Sequence, residues 1–334
     1  MTKKITFAVD AMGGEDSPKK IVDGIKLFNK NNKDVYFKIF GYKNTIEKHL
    51  NNFIDKNSFE IINTENQVVD TDSALGGAKK GKDTSMWLAI ESVKNKESDI
   101  VISAGNTGAL FVISKLNLKM IENIDKPALS GLWPNKNGMN VVLDLGANID
   151  CSEKNLIDFA LMGASLFKSL FSNETPKVAL LNVGSEEIKG NDKIKNTYKK
   201  LSEIRNNNFE FKGYIEGNKI MDGDVNVIVT DGFTGNIALK TAEGTANFLI
   251  KELKNTLSNN IFAKISSAIN FSNLKKFKNK LDPRLYNGAI FIGLDSPVVK
   301  SHGSTDYVGF SHSLNVCKKI IKGDLINKIK ENII

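Results

Sequence analysis

Short apolar runs alternate with amphipathic stretches along this chain. The apolar runs are rich in β-branched residues and show no clean alternation with polar ones, which is typical of strands buried on both faces of a parallel sheet. Predicted strands span residues 5–10, 35–40, 59–63, 100–103, 141–144, 178–182 and 225–230. Predicted helices span residues 19–29, 45–50, 85–94, 156–170 and 237–257. This alternation predicts an α/β fold with a doubly wound sheet, which binds ligands at the carboxyl ends of its strands.

Glycine-bearing turns follow five of the predicted strands. They lie at residues 10–14, 103–108, 144–148, 182–185 and 231–236. Glycine allows a positive φ and a close approach of a ligand to the backbone, and a helix N-terminus presents unpaired N–H groups. Such turns suit anions, above all phosphate, and we expect them to form one composite site.

One segment interrupts this pattern. Residues 260–281 contain no acidic residue, and their lysines and apolar residues recur near a helical period. The lysines are Lys264, Lys275, Lys276, Lys278 and Lys280, and the apolar residues are Ile261, Ile265, Ile269, Leu274, Phe277 and Leu281. A basic amphipathic segment of this kind binds a membrane surface or an acidic partner, and a helical hairpin packed on a second subunit has the same pattern. We expect one large α/β domain over residues 1–334, with a helical extension over residues 258–282.

Composition excludes several classes of protein. The 334 residues are 41% hydrophobic and 25% charged, which is ordinary for a globular chain. The net charge of +8 comes from scattered lysines without interleaved aromatic residues, so nucleic acid is not an expected partner. The first apolar run ends at Asp10, too short for a signal peptide, and no run approaches the roughly 18 apolar residues of a membrane span. Cys151 and Cys317 lack metal-ligand spacing and are predicted to be buried free thiols in a cytoplasmic protein.

The chain lacks the common catalytic motifs. It has no P-loop, no G-x-G-x-x-G, no H-E-x-x-H and no G-x-S-x-G, and its three histidines are His49, His302 and His312. The remaining candidates are backbone amides, Asn and Thr side chains, and Lys189 in a glycine-flanked loop after a predicted strand. Lys189 is either a point charge that holds phosphate or offsets an oxyanion, or a solvated surface lysine.

Six blocks of sequence, in order, resemble the bacterial phosphate acyltransferase family of fatty acid and phospholipid synthesis. They are residues 8–14, 102–110, 143–150, 181–190, 229–236, and 286–289 with 300–303. The resemblance implies a homodimer with a Rossmann-like α/β/α sandwich, akin to phosphotransacetylases and isocitrate dehydrogenase. It also implies transfer of an acyl group from acyl carrier protein to inorganic phosphate by direct attack on the thioester. The acyl phosphate then passes to a membrane-bound glycerol-3-phosphate acyltransferase, and the enzyme lies peripherally on the inner face of the membrane.

The resemblance also assigns site residues. Lys189 and Asn236 match the catalytic lysine and asparagine of the family motifs. The expected substrate-binding residues are Asp10, Gly13, Gly14, Ser103, Gly105, Asn106, Thr107, Asn148, Asp231, Thr234, Gly235 and His302. We expect no metal and no cofactor. Two other functions remain open: a phosphotransacetylase-like enzyme that uses acyl coenzyme A, and a non-catalytic protein that binds phosphate or lipid.

Overall fold

A computed structural model describes residues 4–50, 56–171, 175–204, 208–280 and 282–333. Its strands are β1 Ile5–Asp10, β2 Val35–Gly41, β3 Phe59–Asn63, β4 Ile100–Ser103, β5 Ala128–Pro134, β6 Met139–Leu143, β7 Lys177–Asn182, β8 Glu210–Glu216, β9 Val227–Val229, β10 Ala289–Ile292 and β11 Val298–Lys300. Its α-helices are α1 Lys19–Asn29, α2 Lys43–Leu50, α3 Ala74–Lys79, α4 Ser85–Lys94, α5 Thr107–Asn117, α6 Glu153–Leu170, α7 Asp192–Glu203, α8 Gly232–Ser258, α9 Ile261–Ile269, α10 Phe271–Lys280, α11 Tyr307–Lys322 and α12 Leu325–Asn332. Short 3-10 helices lie at Lys56–Ser58, Gly217–Lys219 and Pro283–Tyr286.

These strands form one sheet in the order β3-β2-β1-β4-β11-β10-β5-β6-β9-β7-β8. The strands from β3 to β11 are parallel to one another, and so are the four from β6 to β8. Strand β10 is antiparallel to both β11 and β5, and β5 is antiparallel to β6. The two parallel halves therefore run in opposite directions.

Helices cover both faces of the sheet because the strands are apolar on both faces. In β1, Phe7 and Val9 join the larger core cluster, whereas Ala8, between them, joins a second cluster on the other face. The larger cluster holds the inner faces of α1, α6, α11 and α12, and the opposite face is covered by α4 and α5 over one half and by α8 over the other. The predicted three-layer α/β/α fold is confirmed.

Most of the predicted elements are present with shifted ends. The helix predicted over 237–257 begins five residues earlier, at Gly232, because the Asp231 side chain caps it there. The strand predicted over 225–230 is only Val227–Val229. The prediction of buried free thiols at Cys151 and Cys317 is confirmed, and burial raises the pKa of the Cys151 thiol to about 11.

Helices α8 to α10 extend beyond the sheet. The first part of α8 packs against the core through Ala238, Leu239 and Ala242, but its distal half and most of α9 and α10 are exposed. Helices α9 and α10 occupy most of the predicted extension, and Leu281 lies outside the described residues. Across the described ranges, no helix combines the length and the apolar character that a bilayer span requires.

Candidate active site

The predicted site residues fall at two opposite edges of the sheet. The first edge, at the carboxyl ends of β1, β4 and β11, holds Asp10, Gly13, Gly14, Ser103, Gly105, Asn106, Thr107 and His302. The second edge, at the carboxyl ends of β6, β9 and β7, holds Asn148, Lys189, Asp231, Thr234, Gly235 and Asn236. Strands β4 and β6 are four strand spacings, or about 19 Å, apart in the sheet. The two groups follow strands of oppositely directed half-sheets, and one composite site within the chain stays a prediction.

The second edge is organised by the buried carboxylate of Asp144. Its Oδ1 accepts hydrogen bonds from the backbone N–H groups of Leu129 at 2.9 Å and Ala147 at 3.0 Å. Its Oδ2 accepts from the backbone N–H of Asn148 at 2.7 Å and from the Asn148 side-chain amide at 2.9 Å. Burial raises the pKa of Asp144, while these donors favour the charged form. The turn after β6 is thus fixed from within, and the Asn148 amide serves this structural role.

Asn236, near the start of α8, packs against the turn that Asp144 holds. The Asp231 side chain caps the helix by accepting from the Thr234 N–H at 2.7 Å, which gives Asp231 the role of a cap. A methyl group on Gly235 would overlap the carbonyl oxygen of Asp144, so only glycine allows this approach. The exposed Asn236 amide donates to the Leu145 carbonyl at 3.1 Å and keeps its second N–H and its carbonyl oxygen for a ligand.

Lys189 lies in the loop between β7 and α7, next to the strand that leads into α8. The Asn182 amide closes this loop by donating to the carbonyls of Gly184 at 3.1 Å and Lys189 at 3.2 Å. The Lys189 side chain is exposed, and it forms no ion pair with any residue that the structure describes. Because β7 and β9 are neighbouring parallel strands, a lysine without an ion pair and an amide with one unused N–H lie at the same sheet edge.

The first edge is built around a second buried carboxylate, that of Asp10. It accepts from the hydroxyls of Ser103 at 2.6 Å and Ser85 at 2.7 Å and from the Met12 N–H at 3.2 Å. Burial raises the pKa of Asp10 against these hydrogen bonds. Asp10 and Ser103 are therefore internal supports for the glycine turns and are not open to solvent.

The remaining first-edge residues hold loops in place. Asn106 caps α5 by accepting from the Ala109 N–H at 2.9 Å, and its amide donates to the carbonyls of Asp70 and Asp72. The His302 ring nitrogen Nδ1 lies 3.0 Å from the Ser304 hydroxyl. Partial burial and the nearby charge of Lys300 lower the pKa of His302, and the contact with Ser304 stabilises its loop.

Two buried lysines at the first edge are not among the residues predicted from the sequence. Lys20, in the first turn of α1, and Lys300, the last residue of β11, are 5% and 8% exposed. Lysine is almost always solvent-exposed, so residue type alone does not predict burial at either position in a lysine-rich chain. The available signal is a lysine that directly ends the apolar run Val298–Val299. The described part of the chain contains no group of three or more His, Cys, Asp and Glu side chains placed to hold a metal ion.

Comparison with known proteins identifies the family of this chain. A family model described as "Fatty acid synthesis protein" matches residues 5–328. A phosphate acyltransferase from Pelagibacter ubique is 69% identical over 333 residues, covering 100% of both chains. The chain belongs to the phosphate acyltransferase family. A phosphate acyltransferase from Rhodospirillum rubrum is 40% identical and covers 100% of this chain and 95% of its own. The predicted family and the predicted acyltransferase activity are confirmed.

Solved structures confirm the fold of this phosphate acyltransferase family member. EutD phosphotransacetylase from Staphylococcus aureus has a TM-score of 0.63 at 14% identity, covering 96% of this chain and 94% of its own. A phosphotransacetylase from Streptococcus pyogenes has a TM-score of 0.60 at 16% identity, covering 97% and 94%. At these identities the likeness concerns the fold alone.

Proposed function

We propose that this chain transfers a fatty acyl group from acyl carrier protein to inorganic phosphate, and that the reaction takes place at the second edge. The observation that carries this placement is that the Lys189 ammonium and the Asn236 amide both follow the carboxyl ends of neighbouring parallel strands, β7 and β9. Both groups are side-chain donors without a full set of protein partners, and both are anchored to backbone that cannot easily shift. Family membership supports phosphate as the acyl acceptor.

The reaction requires positioning and charge stabilisation more than a built-in nucleophile. A phosphate oxygen attacks the thioester carbonyl carbon, and the carbonyl oxygen becomes an oxyanion. The C–S bond then breaks, the carrier thiol leaves with the proton that phosphate gives up, and acyl phosphate remains. The Asn236 N–H and the Lys189 ammonium would stabilise the two negative charges, that of phosphate and that of the oxyanion.

The decisive experiment measures acyl phosphate trapped with hydroxylamine, using palmitoyl-acyl carrier protein and phosphate. We expect Lys189→Ala and Asn236→Ala each to lower the rate by about 100-fold or more, the usual effect of removing an oxyanion donor. Lys195→Ala is the matched control, because Lys195 is a partly exposed lysine of α7 whose ammonium lies 3.7 Å from the Asp192 carboxylate. Wild-type activity in both variants would contradict the placement.

The acyl donor is tested in the same assay. Product from acyl carrier protein, with little from palmitoyl coenzyme A, would support the proposed donor. Product from palmitoyl coenzyme A but not from acyl carrier protein would show that the chain is a phosphotransacetylase-like enzyme. Saturable binding without product from either donor would favour a binding protein, and the proposed function would then be wrong.

We also propose that α8 to α10 carry a homodimer contact and, at their outer end, a contact with the membrane surface. Large apolar side chains there are exposed, with Phe262 at 80% and Ile269 at 79%. Monomeric soluble proteins rarely expose apolar patches of such extent, and the neighbouring lysines suit anionic lipid. The acyl phosphate would then be released close to a membrane-bound glycerol-3-phosphate acyltransferase.

The two contacts can be separated by one pair of charge substitutions. Phe262→Asp at the outer end is expected to abolish sedimentation with vesicles of anionic phospholipid and to preserve the dimer in light scattering. Phe248→Asp in the distal half of α8 is expected to weaken the dimer instead. A monomeric wild-type protein, or vesicle binding that survives Phe262→Asp, would contradict the corresponding contact.

A further inference from the structure

The loop that carries Lys189 is closed by the side chain of Asn182. Asn182 is the last residue of β7, where it pairs with Glu216 of the neighbouring strand β8. Its amide nitrogen donates to the Gly184 carbonyl at 3.1 Å and to the Lys189 carbonyl at 3.2 Å. A side-chain amide has two N–H donors. Both are therefore used to join the two arms of this loop to the end of a strand within the sheet.

Gly190 gives the Asn182 amide the room to reach both carbonyls. A methyl group on Gly190 would lie 2.5 Å from Asn182 Oδ1 and 3.2 Å from the amide nitrogen. Gly190 also has a φ of +92°, which residues with a side chain rarely adopt. A side chain at this position would push the amide aside and strain the backbone. Gly190 and the Asn182 amide thus form one packed unit directly behind Lys189.

The same loop geometry fixes the base of the Lys189 side chain. The Lys189 N–H donates to the Glu186 carbonyl at 2.9 Å, which forms a turn. A methyl group on Gly184 would lie 3.0 Å from Lys189 Cγ, so the lysine side chain crosses the open face of Gly184. Asn182 holds the carbonyls of both residues, Gly184 and Lys189. The direction in which the lysine side chain leaves the loop is therefore set by the Asn182 amide.

Apolar burial does not hold this loop in its shape. Val183 and Ile188, its two large apolar residues, are 81% and 80% exposed. Apolar side chains gain free energy when they leave water, so these two would favour a different conformation of the loop. Glu187 accepts from the Tyr198 hydroxyl of α7 at 3.0 Å, at the protein surface. Polar contacts therefore set the shape of the loop, and the Asn182 amide makes the two that join its arms.

We propose that Asn182 is a positioning residue for Lys189, one that raises the rate of acyl transfer without contacting the substrate. The inference rests on the proposed function, in which the Lys189 ammonium stabilises phosphate or the oxyanion. A cation stabilises a transition state most when it is held in advance where the charge develops. Loss of the Asn182 amide leaves the lysine in the chain but lets the backbone beneath it shift away from that place.

The test is a double-mutant cycle on the formation of acyl phosphate from palmitoyl-acyl carrier protein and phosphate. We expect Asn182→Ala to lower kcat by about 10-fold or more, since a misplacement of about 1 Å can cost about 100-fold. In a Lys189→Ala background, which already lacks the ammonium, the same substitution should change the residual kcat by less than about twofold. A residue that only supports folding would lower the rate by a similar factor in both backgrounds.

Two further variants separate this role from a general loss of structure. Asn182→Asp keeps the shape of the side chain, but a carboxylate cannot donate to the two carbonyls, so kcat should fall at least as far as in Asn182→Ala. Asn191→Ala is the matched control, because Asn191 also belongs to this segment and caps α7 by accepting from the Ile194 N–H at 2.9 Å. Its loss weakens a helix cap and should change kcat by less than about twofold.

The outcomes distinguish this inference from the proposed function. Wild-type kcat in folded Asn182→Ala and Asn182→Asp proteins, failure of both proteins to fold, or equal losses of rate in the two backgrounds would overturn the positioning role and leave the proposed function intact. A wild-type rate in Lys189→Ala alone would instead overturn the placement of the reaction, and the role of Asn182 with it. The single Lys189→Ala variant thus identifies which of the two has failed.

Discussion

Replacing Lys300 with methionine should make the protein more stable at neutral pH. Burial lowers the pKa of this lysine from 10.5 to about 8, so its protonated form disfavours the folded state. This lowering of the pKa corresponds to about 3 kcal/mol of unfolding free energy, since a tenfold change in the protonation equilibrium is worth about 1.4 kcal/mol. Methionine fills a similar volume without a charge, and about 1–2 kcal/mol is lost with the hydrogen bonds to Ala104 and Ser301. The expected net gain at pH 7 is about 1–2 kcal/mol.

The pH dependence gives this prediction its sharpest form. The cost of the charged lysine is fully present below about pH 8 and disappears as the pH rises toward 10.5, where the unfolded chain also loses the proton. Urea unfolding of wild type and Lys300→Met at pH 7.0 and pH 9.5 measures the difference directly. Wild type should recover about 2 kcal/mol relative to the variant at the higher pH. A difference that is the same at both values would refute the assignment of a buried, unpaired ammonium.

Two further predictions concern the second edge, and urea unfolding measures both. Gly235→Ala should cost about 1–3 kcal/mol because the new methyl group meets the Asp144 carbonyl, whereas Gly244→Ala, with open space around it in the same helix, should gain about 0.5–1 kcal/mol; equal effects would contradict the packing. Asp144→Ala should cost about 3 kcal/mol or more because several buried N–H groups lose their acceptor, whereas Asp150→Ala removes an exposed pair with Lys193 and a hydrogen bond from the Cys151 N–H and should cost about 1 kcal/mol; comparable losses would show that Asp144 does not hold the turn.

The position of most strands and helices follows from local pattern, but their direction within the sheet does not. The strand predicted over 5–10 matches β1, and the helix predicted over 85–94 matches α4, because periodicity and turn residues act over short distances. Strands β5, β8, β10 and β11 are absent from the prediction. Of these, β5 contains Gly131 and ends in Pro134, and β11 is only three residues long. Strand β10 reverses the sheet, and nothing in Ala289–Ile292 reveals that it pairs antiparallel with both of its neighbours.

In the candidate site, too, local features can be predicted from the sequence and long-range arrangement cannot. The glycine turns are recognisable because each depends on neighbours in the sequence, such as the Asp231 cap of α8. Their sorting into two edges depends on sheet topology, so grouping them into one site goes beyond what the turns reveal. The burial of Lys20 depends on a contact with Gly303, 283 residues away, which no local pattern encodes. Chemistry that rests on local turns is therefore predictable, and chemistry that rests on distant packing is not.

Changes in the length of helix α8 can alter the distance of α9 and α10 from the sheet independently of the direction in which they face. It runs without interruption for 27 residues, about 40 Å, and Gly244 in its middle has no neighbour within 4 Å. One inserted residue after Gly244 would lengthen the helix by about 1.5 Å and rotate α9 and α10 by about 100°. Seven inserted residues would move them outward by about 10 Å and rotate them by only about 20°. The helix thus acts as a spacer whose length can be changed while the same face is presented and Asn236 stays in place.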